Sequence, residues 1–190
     1  RIFDDAKCHI CTYVDNLFMG FPPKSTSRGL MLYELKQHYK ITDLGVMSHT
    51  LNIRIQQNPR MYHTTLEQEG FISDVVQKYK EHLVQPPPKA RLVPMTEMIN
   101  DIQQGDINDP ETVKWTSECM QLGGKLNYIS IGTRPDISAA LSKCMRTASK
   151  ATASTFQALM IILTYLHHTK HYKLHYGNGL GADLKQMMLR

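Results

Sequence analysis

Cys8 and Cys11 are the first residues of the chain whose spacing is typical of redox or zinc chemistry. They lie in a stretch with strand periodicity, where an odd separation puts two side chains on opposite faces. No second pair at this spacing follows, because the other cysteines, Cys119 and Cys144, are far apart. Four scattered cysteines are also too few for a disulfide framework. We therefore expect neither redox chemistry nor a metal site at the cysteines.

Histidines near the end of the chain form a second candidate group. His167, His171 and His175 would align if the helix that contains the first of them continued, and His168 lies beside the first. Zinc sites often include cysteine or carboxylate ligands, and none accompanies these histidines. The pattern therefore favours a structural role over a zinc site.

A carboxylate on a tight turn is the third candidate. The stretch CHICTYVDNLFMG, residues 8–20, reads as a strand, a turn at residues 14–16 and a second apolar run. Such a hairpin holds Asp15 at its tip. The next residue, Asn16, is an amide and not a second acid.

Helix and strand patterns alternate after this hairpin. Ser25 or Ser27 can cap a helix in which Met31, Leu35 and Tyr39 recur every four residues, so one face is expected to pack inward. The other predicted features are a stop to this helix at residues 42–45, a half-buried strand at 51–55, its partner at 61–65 and an amphipathic helix at 67–79.

Residues 85–110 are rich in proline and polar side chains, which predicts a linker. The predicted organisation is therefore a first region at 1–84, the linker, and a mainly helical region at 111–190. The predicted fold class is α+β in the first region, followed by α.

The last region contains three helical patterns and a short strand pattern. The first helix is expected from Glu111 to about Ile131 with an interruption at Gly123 and Gly124, and Pro135 starts the next. The third spans residues 151–168, and the strand is at 173–176. The side chains expected on the inner side of the third helix are Phe156, Leu159, Met160, Leu163 and Leu166.

The formal net charge of +5, from 22 basic and 17 acidic residues, permits a polyanionic partner such as RNA, although solvated surface is the ordinary alternative. There is no window of about 18 apolar residues, so no membrane span is predicted. The absence of a leader pattern predicts an intracellular protein that is not secreted.

Several motifs follow one another in a specific order. They are YVDN at 13–16, TDLG at 42–45, TLNIRI at 50–55, GGKLNYIS at 123–130, GTRPDISAALS at 132–142 and LMIILTYLHHT at 159–169. With these motifs the chain resembles the reverse transcriptase of copia-type retrotransposons over nearly all of its 190 residues. The resemblance implies part of a palm with its hairpin, a thumb, and a connection segment.

The resemblance also implies roles for the two polar residues of the hairpin. Asp15 matches the first of two aspartates on the family's turn, which bind metal in two-metal nucleotidyl transfer. Asn16 stands at the position of the second, so the site loses a negative charge. The family's upstream palm aspartate, its fingers and its RNase H domain have no counterpart in these residues. Asp15 is therefore expected to be vestigial, with no cofactor required and Mg²⁺ relevant only if catalysis survives.

Four basic residues are candidate nucleic-acid contacts. Arg54 and Arg60 belong to the segment that matches the family's primer grip, and Lys78 and Lys80 are assigned to the predicted thumb helix. The alternative for each is a solvated surface side chain. In GTRPD, the residue before Pro135 is expected to be extended and Asp136 to complement a helix N-terminus, which is a structural role.

These observations predict a fragment derived from a reverse transcriptase that is inactive as a polymerase. It would be retained as a structural or interaction subunit of a larger assembly, with protein partners and with RNA or an RNA/DNA hybrid as a further partner. The alternative is a piece of a longer, active copia-type reverse transcriptase.

Overall fold

The structure, a computed structural model, describes residues 8–22, 25–58, 63–83, 93–94, 99 and 102–177. Arg60 and much of the predicted linker lie outside these residues. The predicted mixed α+β class is confirmed. The elements are β1 (His9–Tyr13), β2 (Asn16–Gly20), α1 (Ser27–His38), β3 (His49–Thr50), β4 (Ile53–Asn58), β5 (His63–Glu67), α2 (Glu69–Lys78), α3 (Pro110–Gly132), α4 (Ser138–Met145), α5 (Ala153–His168) and β6 (Leu174–Gly177).

The chain divides into two compact units, one that ends at Val46 and one that begins at Met47. The boundary expected from the sequence lies elsewhere, at 85–110. In the second unit α2, which precedes that segment, packs on α5, which follows it. Ile99, from within the segment, is buried in the same core. This shared core explains why the division does not fall there.

The first unit contains the hairpin and α1. β1 and β2 pair antiparallel with Tyr13 opposite Asn16, so Val14 and Asp15 alone form the turn. The predicted hairpin is therefore confirmed. Among the described residues of this unit, Ser27 alone is buried.

Helix α1 differs from its prediction at its face and at its end. Met31 and Leu35 are only half-buried, and Tyr39 lies beyond the helix and is exposed, so the expected inward face is wrong. The helix ends at His38, before the TDLG motif. Asp43 of that motif lies 2.6 Å from Arg28 in an ion pair and accepts a hydrogen bond from the backbone of the residue two positions on.

The second unit contains a four-stranded antiparallel sheet in the order β3-β4-β5-β6. Leu51 and Asn52 join β3 to β4 with φ angles of 48° and 57°, as a type I′ turn requires. The prediction of a strand from residue 51 is wrong at its start, because these two residues form the turn. Asparagine tolerates the left-handed conformation better than most residues. The predicted strand at 173–176 is present as β6.

Helix α5 lies at the centre of the second unit, against α2, α3 and α4. The predicted inner side chains are buried, and so are Ala158, Ile161 and Ile162 on its other sides. A helix that is apolar all round is one that its neighbours enclose. Even so, no helix among the described residues is long and apolar enough to cross a bilayer, as predicted.

Helix α3 is continuous, so the predicted interruption at Gly123 and Gly124 is wrong. Gly123 is buried, and a side chain there would collide with Met145 of α4. The glycine therefore allows α4 to approach α3 closely, and this packing offsets the low helix propensity of the two glycines. Asp109 caps the helix by accepting a hydrogen bond from the Glu111 N–H at 3.0 Å.

Candidate functional site

The tip of the β1–β2 hairpin presents Asp15 to solvent. The residue before it, Val14, has a φ of 52° and is 86% exposed. A β-branched residue rarely adopts a positive φ, because its side chain then crowds the backbone. The turn that displays Asp15 is therefore strained, and strain of this kind is concentrated at functional sites.

Replacing Val14 with glycine is expected to stabilise the hairpin by about 0.5–1 kcal/mol, because relief of the strain exceeds the added entropy of the unfolded chain. Amide hydrogen exchange of β1 and β2 measures the effect. Leu17→Gly is the matched control, since Leu17 lies within β2 without a positive φ and should give faster exchange. Faster exchange in Val14→Gly would show that the turn is not strained.

The donor atoms at the tip do not fit a two-metal site. Such a site holds two divalent ions between several carboxylates. The hairpin turn and its first paired residue offer the carboxylate of Asp15 and the amide of Asn16, both exposed. Within the described ranges, no three His, Cys, Asp or Glu side chains converge so that they could hold a metal ion. The donor set therefore does not match the pair of ions that the resemblance implies.

Arg54 of β4 lies beside a buried carboxylate. Its Nη1 is 3.1 Å from Oε1 of Glu67 on β5, and Lys173 Nζ is 2.6 Å from Oε2 of the same residue. The Glu67 side chain is 5% exposed and that of Arg54 65% exposed. A carboxylate withdrawn from water needs such partners. Arg54 thus has a structural ion pair, and its predicted contact with phosphate stays a prediction.

A cleft of about 420 Å³ lies between the β3–β4 turn and the start of α2. Its lining includes His49, Asn52, Arg54, Glu67 and Asp74. With Glu69, three carboxylates line this cleft and outnumber Arg54 and His49, so the cleft as a whole does not attract a phosphate.

Lys78 and Lys125 meet over the ring of Tyr79. Their Nζ atoms lie 5.5 Å and 5.7 Å from the ring centroid, at cation–π distance. Burial lowers the pKa of Lys125, and the side-chain contact with Lys78 and its positive charge lower it further. Lys80 follows in an exposed 3-10 turn. We call Lys78, Tyr79 and Lys125 the lysine pair site.

Sequence reasoning identified Lys78 and missed Lys125. The two residues lie on α2 and α3, which are far apart in the chain, so only the fold brings them together. Lys125 is also the residue after the two glycines at which an interruption was expected. The sequence could have indicated Lys125 through a continuous α3, because such a helix places Lys125 on the same face as Lys114 and Glu118.

Arg134 is 1% exposed, and its guanidinium makes four hydrogen bonds. Its Nε and Nη2 donate to the two carboxylate oxygens of Asp136 at 2.9 and 2.7 Å, and Nη1 and Nη2 donate to the carbonyl and hydroxyl oxygens of Thr169 at 2.9 and 2.7 Å. The rings of Tyr165 and Tyr172 each lie 5.3 Å from its guanidinium carbon. We call these five residues the Arg134 network.

The network adds to the structural role that was expected for the TRPD motif. Asp136 lies in the first turn of a 3-10 helix at Pro135–Ile137, as expected, and its carboxylate also binds Arg134 and accepts a hydrogen bond from the Tyr165 hydroxyl at 2.7 Å. Burial raises the pKa of Asp136, but these hydrogen bonds and the guanidinium charge outweigh it and lower the pKa overall.

The remaining chemical candidates also have structural surroundings. His175 Nδ1 lies 3.1 Å from Nε2 of His63, and the two rings stack across β5 and β6. Cys119 and Cys144 are buried free thiols, and burial raises their pKa values to about 12 and about 11. Thiols with raised pKa values are unreactive, because the thiolate is the nucleophile.

Comparison with known proteins adds no identification to this geometry. No protein-family model matches the chain, and no solved structure matches it.

Proposed function

We propose that the chain derives from a copia-type reverse transcriptase, does not transfer nucleotides, and acts as a binding subunit of a larger assembly that contains RNA or an RNA/DNA hybrid. The hairpin is the observation that carries this proposal. It displays Asp15 on a tight turn, as the resemblance to a catalytic palm implies, but pairs it with the amide of Asn16. Loss of a carboxylate weakens charge stabilisation in a two-metal transition state.

The first unit supports the part of the proposal that concerns protein partners. It has few buried residues, while Val14, Tyr33, Leu44 and Val46 are between 65% and 86% exposed. An isolated two-stranded hairpin is at best marginally stable in water. Exposed apolar side chains in such number are typical of a surface that another protein covers.

The basic residues of the second unit support the part that concerns RNA. Lys78 and Lys80 are exposed, and Lys125 joins Lys78 from a second helix. Lysine side chains contact backbone phosphates without reading sequence. Binding of this kind weakens steeply as the salt concentration rises.

A primer-extension assay tests the catalytic part. The purified chain, a saturating primer-template, all four nucleotides and either Mg²⁺ or Mn²⁺ are expected to give no extension, with an active reverse transcriptase as positive control. Fluorescence anisotropy of a labelled RNA should meanwhile show salt-dependent binding that Asp15→Asn leaves unchanged. Extension by the wild-type chain, or no RNA binding at low salt, would contradict the proposal.

Native mass spectrometry of the endogenous protein, with and without nuclease, tests the assembly. The expected result is a defined complex with protein partners and a nuclease-sensitive mass. A free monomer would refute the role as a subunit.

A further inference from the structure

We propose that the lysine pair site binds a phosphate group between Lys78 and Lys125. This inference rests on the proposed function only for the source of the phosphate, which we take to be a nucleic-acid backbone. Lys78 lies in the last turn of α2 and Lys125 within α3, and both ammonium groups lie over the Tyr79 ring. Two elements of the fold thus present positive charge at one point.

Local structure explains Lys78 but not Lys125. A lysine in the last turn of a helix interacts favourably with the helix dipole, which accounts for Lys78 on α2. Lys125 lies mid-helix, where the dipole gives no such benefit. Within the part of the chain that the structure describes, neither lysine has a carboxylate at ion-pair distance, although Glu118 lies near enough to act on Lys125 through its charge.

Two ammonium groups within 5.5 and 5.7 Å of one ring centroid form an arrangement that is unfavourable without a ligand. Like charges on neighbouring positions destabilise a fold, and the lowered pKa of Lys125 records both its partial burial and the charge of Lys78. An anion between the two ammonium groups would attract both of them and so offset their repulsion. Groups held in such a locally unfavourable arrangement are candidates for a binding role.

Phosphate is the anion that fits the donors best. Each ammonium group is a compact point charge with three donors, which suits a phosphate oxygen cluster and does not require the planar fork that arginine offers to carboxylates. The site lies on a helical surface and not in an enclosed pocket, since Lys78 is exposed and Lys125 half-buried. An open site of this kind suits a phosphate carried on a longer molecule.

Lys125→Gln tests the inference against Lys114→Gln as matched control. Lys114 lies on the same helix and also contacts an aromatic ring, with its Nζ 5.5 Å from the Trp115 centroid. Among the described residues, no second lysine lies at cation–π distance from that ring. Lys125→Gln is expected to weaken binding of a labelled single-stranded RNA about tenfold, and to reduce the salt slope by about one phosphate contact. Lys114→Gln should have a much smaller effect, and Lys125→Arg should retain most of the affinity.

Thermal unfolding separates this result from misfolding. Lys125→Gln removes a repulsion but also the cation–π contact with Tyr79, so its melting temperature should stay close to that of the wild type. Loss of RNA affinity together with retained stability supports a binding role. Equal RNA affinity in Lys125→Gln and Lys114→Gln would overturn the inference and leave the proposed function intact.

Tripolyphosphate serves as a second probe, by calorimetry, and identifies the source of the phosphate. If the wild type binds tripolyphosphate but not RNA, and Lys125→Gln loses that binding, the site stands with a free polyphosphate as ligand and the proposed function fails. If the wild type binds neither probe, both are overturned.

Discussion

Replacing Asp136 with alanine is expected to lower the free energy of unfolding of the second unit by about 2–3 kcal/mol, less than for a fully buried ion pair because the Asp136 side chain is 36% exposed. The substitution leaves the guanidinium of Arg134, which is 1% exposed, without its carboxylate. The Tyr165 hydroxyl also loses its acceptor. Urea denaturation followed by circular dichroism measures the change.

Lys170→Ala is the matched control for this loss. Lys170 also forms an ion pair in the second unit, with Nζ 3.3 Å from Glu69, but the two side chains are 39% and 43% exposed. Exposed pairs contribute about 0–1 kcal/mol, so the control should be nearly neutral. If Asp136→Ala were as mild as Lys170→Ala, the two tyrosine rings and Thr169 would suffice to hold the buried cation.

A double replacement separates the charge from the packing. Arg134→Met combined with Asp136→Leu removes both charges, so the penalty for an uncompensated buried ion disappears. Its loss of stability should be less than the sum of the two single losses, because the residues are in direct contact. A strictly additive result would mean that the two charges do not interact.

The sequence predicted those features that depend on neighbouring residues. The hairpin at Asp15 follows from alternation and a turn, and α2 and β6 follow from periodicity. Among these local features, Leu51 and Asn52 were wrongly assigned to a strand. Their positive φ angles cannot be inferred from an alternation of apolar residues.

The features that the sequence did not predict depend on contacts between distant segments. Arg134 takes its partners from α5 and the residues after it, and Lys125 is significant only because α2 brings Lys78 beside it. The low helix propensity of the glycines of α3 predicted an interruption of the helix. The helix is continuous because Gly123 packs against α4. Propensity and periodicity consider only residues that are close in the sequence, so they cannot predict contacts with a distant segment.

Ile162→Ala tests whether α5 is buried beyond the inner side chains that its sequence pattern predicts. The pattern of residues 151–168 predicted five inner side chains, and Ile162 was not among them. In the structure Ile162 is 0% exposed. Truncation of a buried isoleucine is expected to cost about 2–5 kcal/mol, from lost burial and from the cavity that remains.

Ile131→Ala provides the comparison, because Ile131 is 78% exposed on α3 and its truncation should change the free energy of unfolding by less than about 0.5 kcal/mol. Denaturant unfolding of both variants under one condition gives the difference directly. A large loss for Ile162→Ala alone would mean that the side of α5 that carries Ile162 is enclosed, so a binding partner must use other surfaces. Similar small losses for both would mean that α5 has a free apolar face, and that face would then be the first place to look for the protein partner.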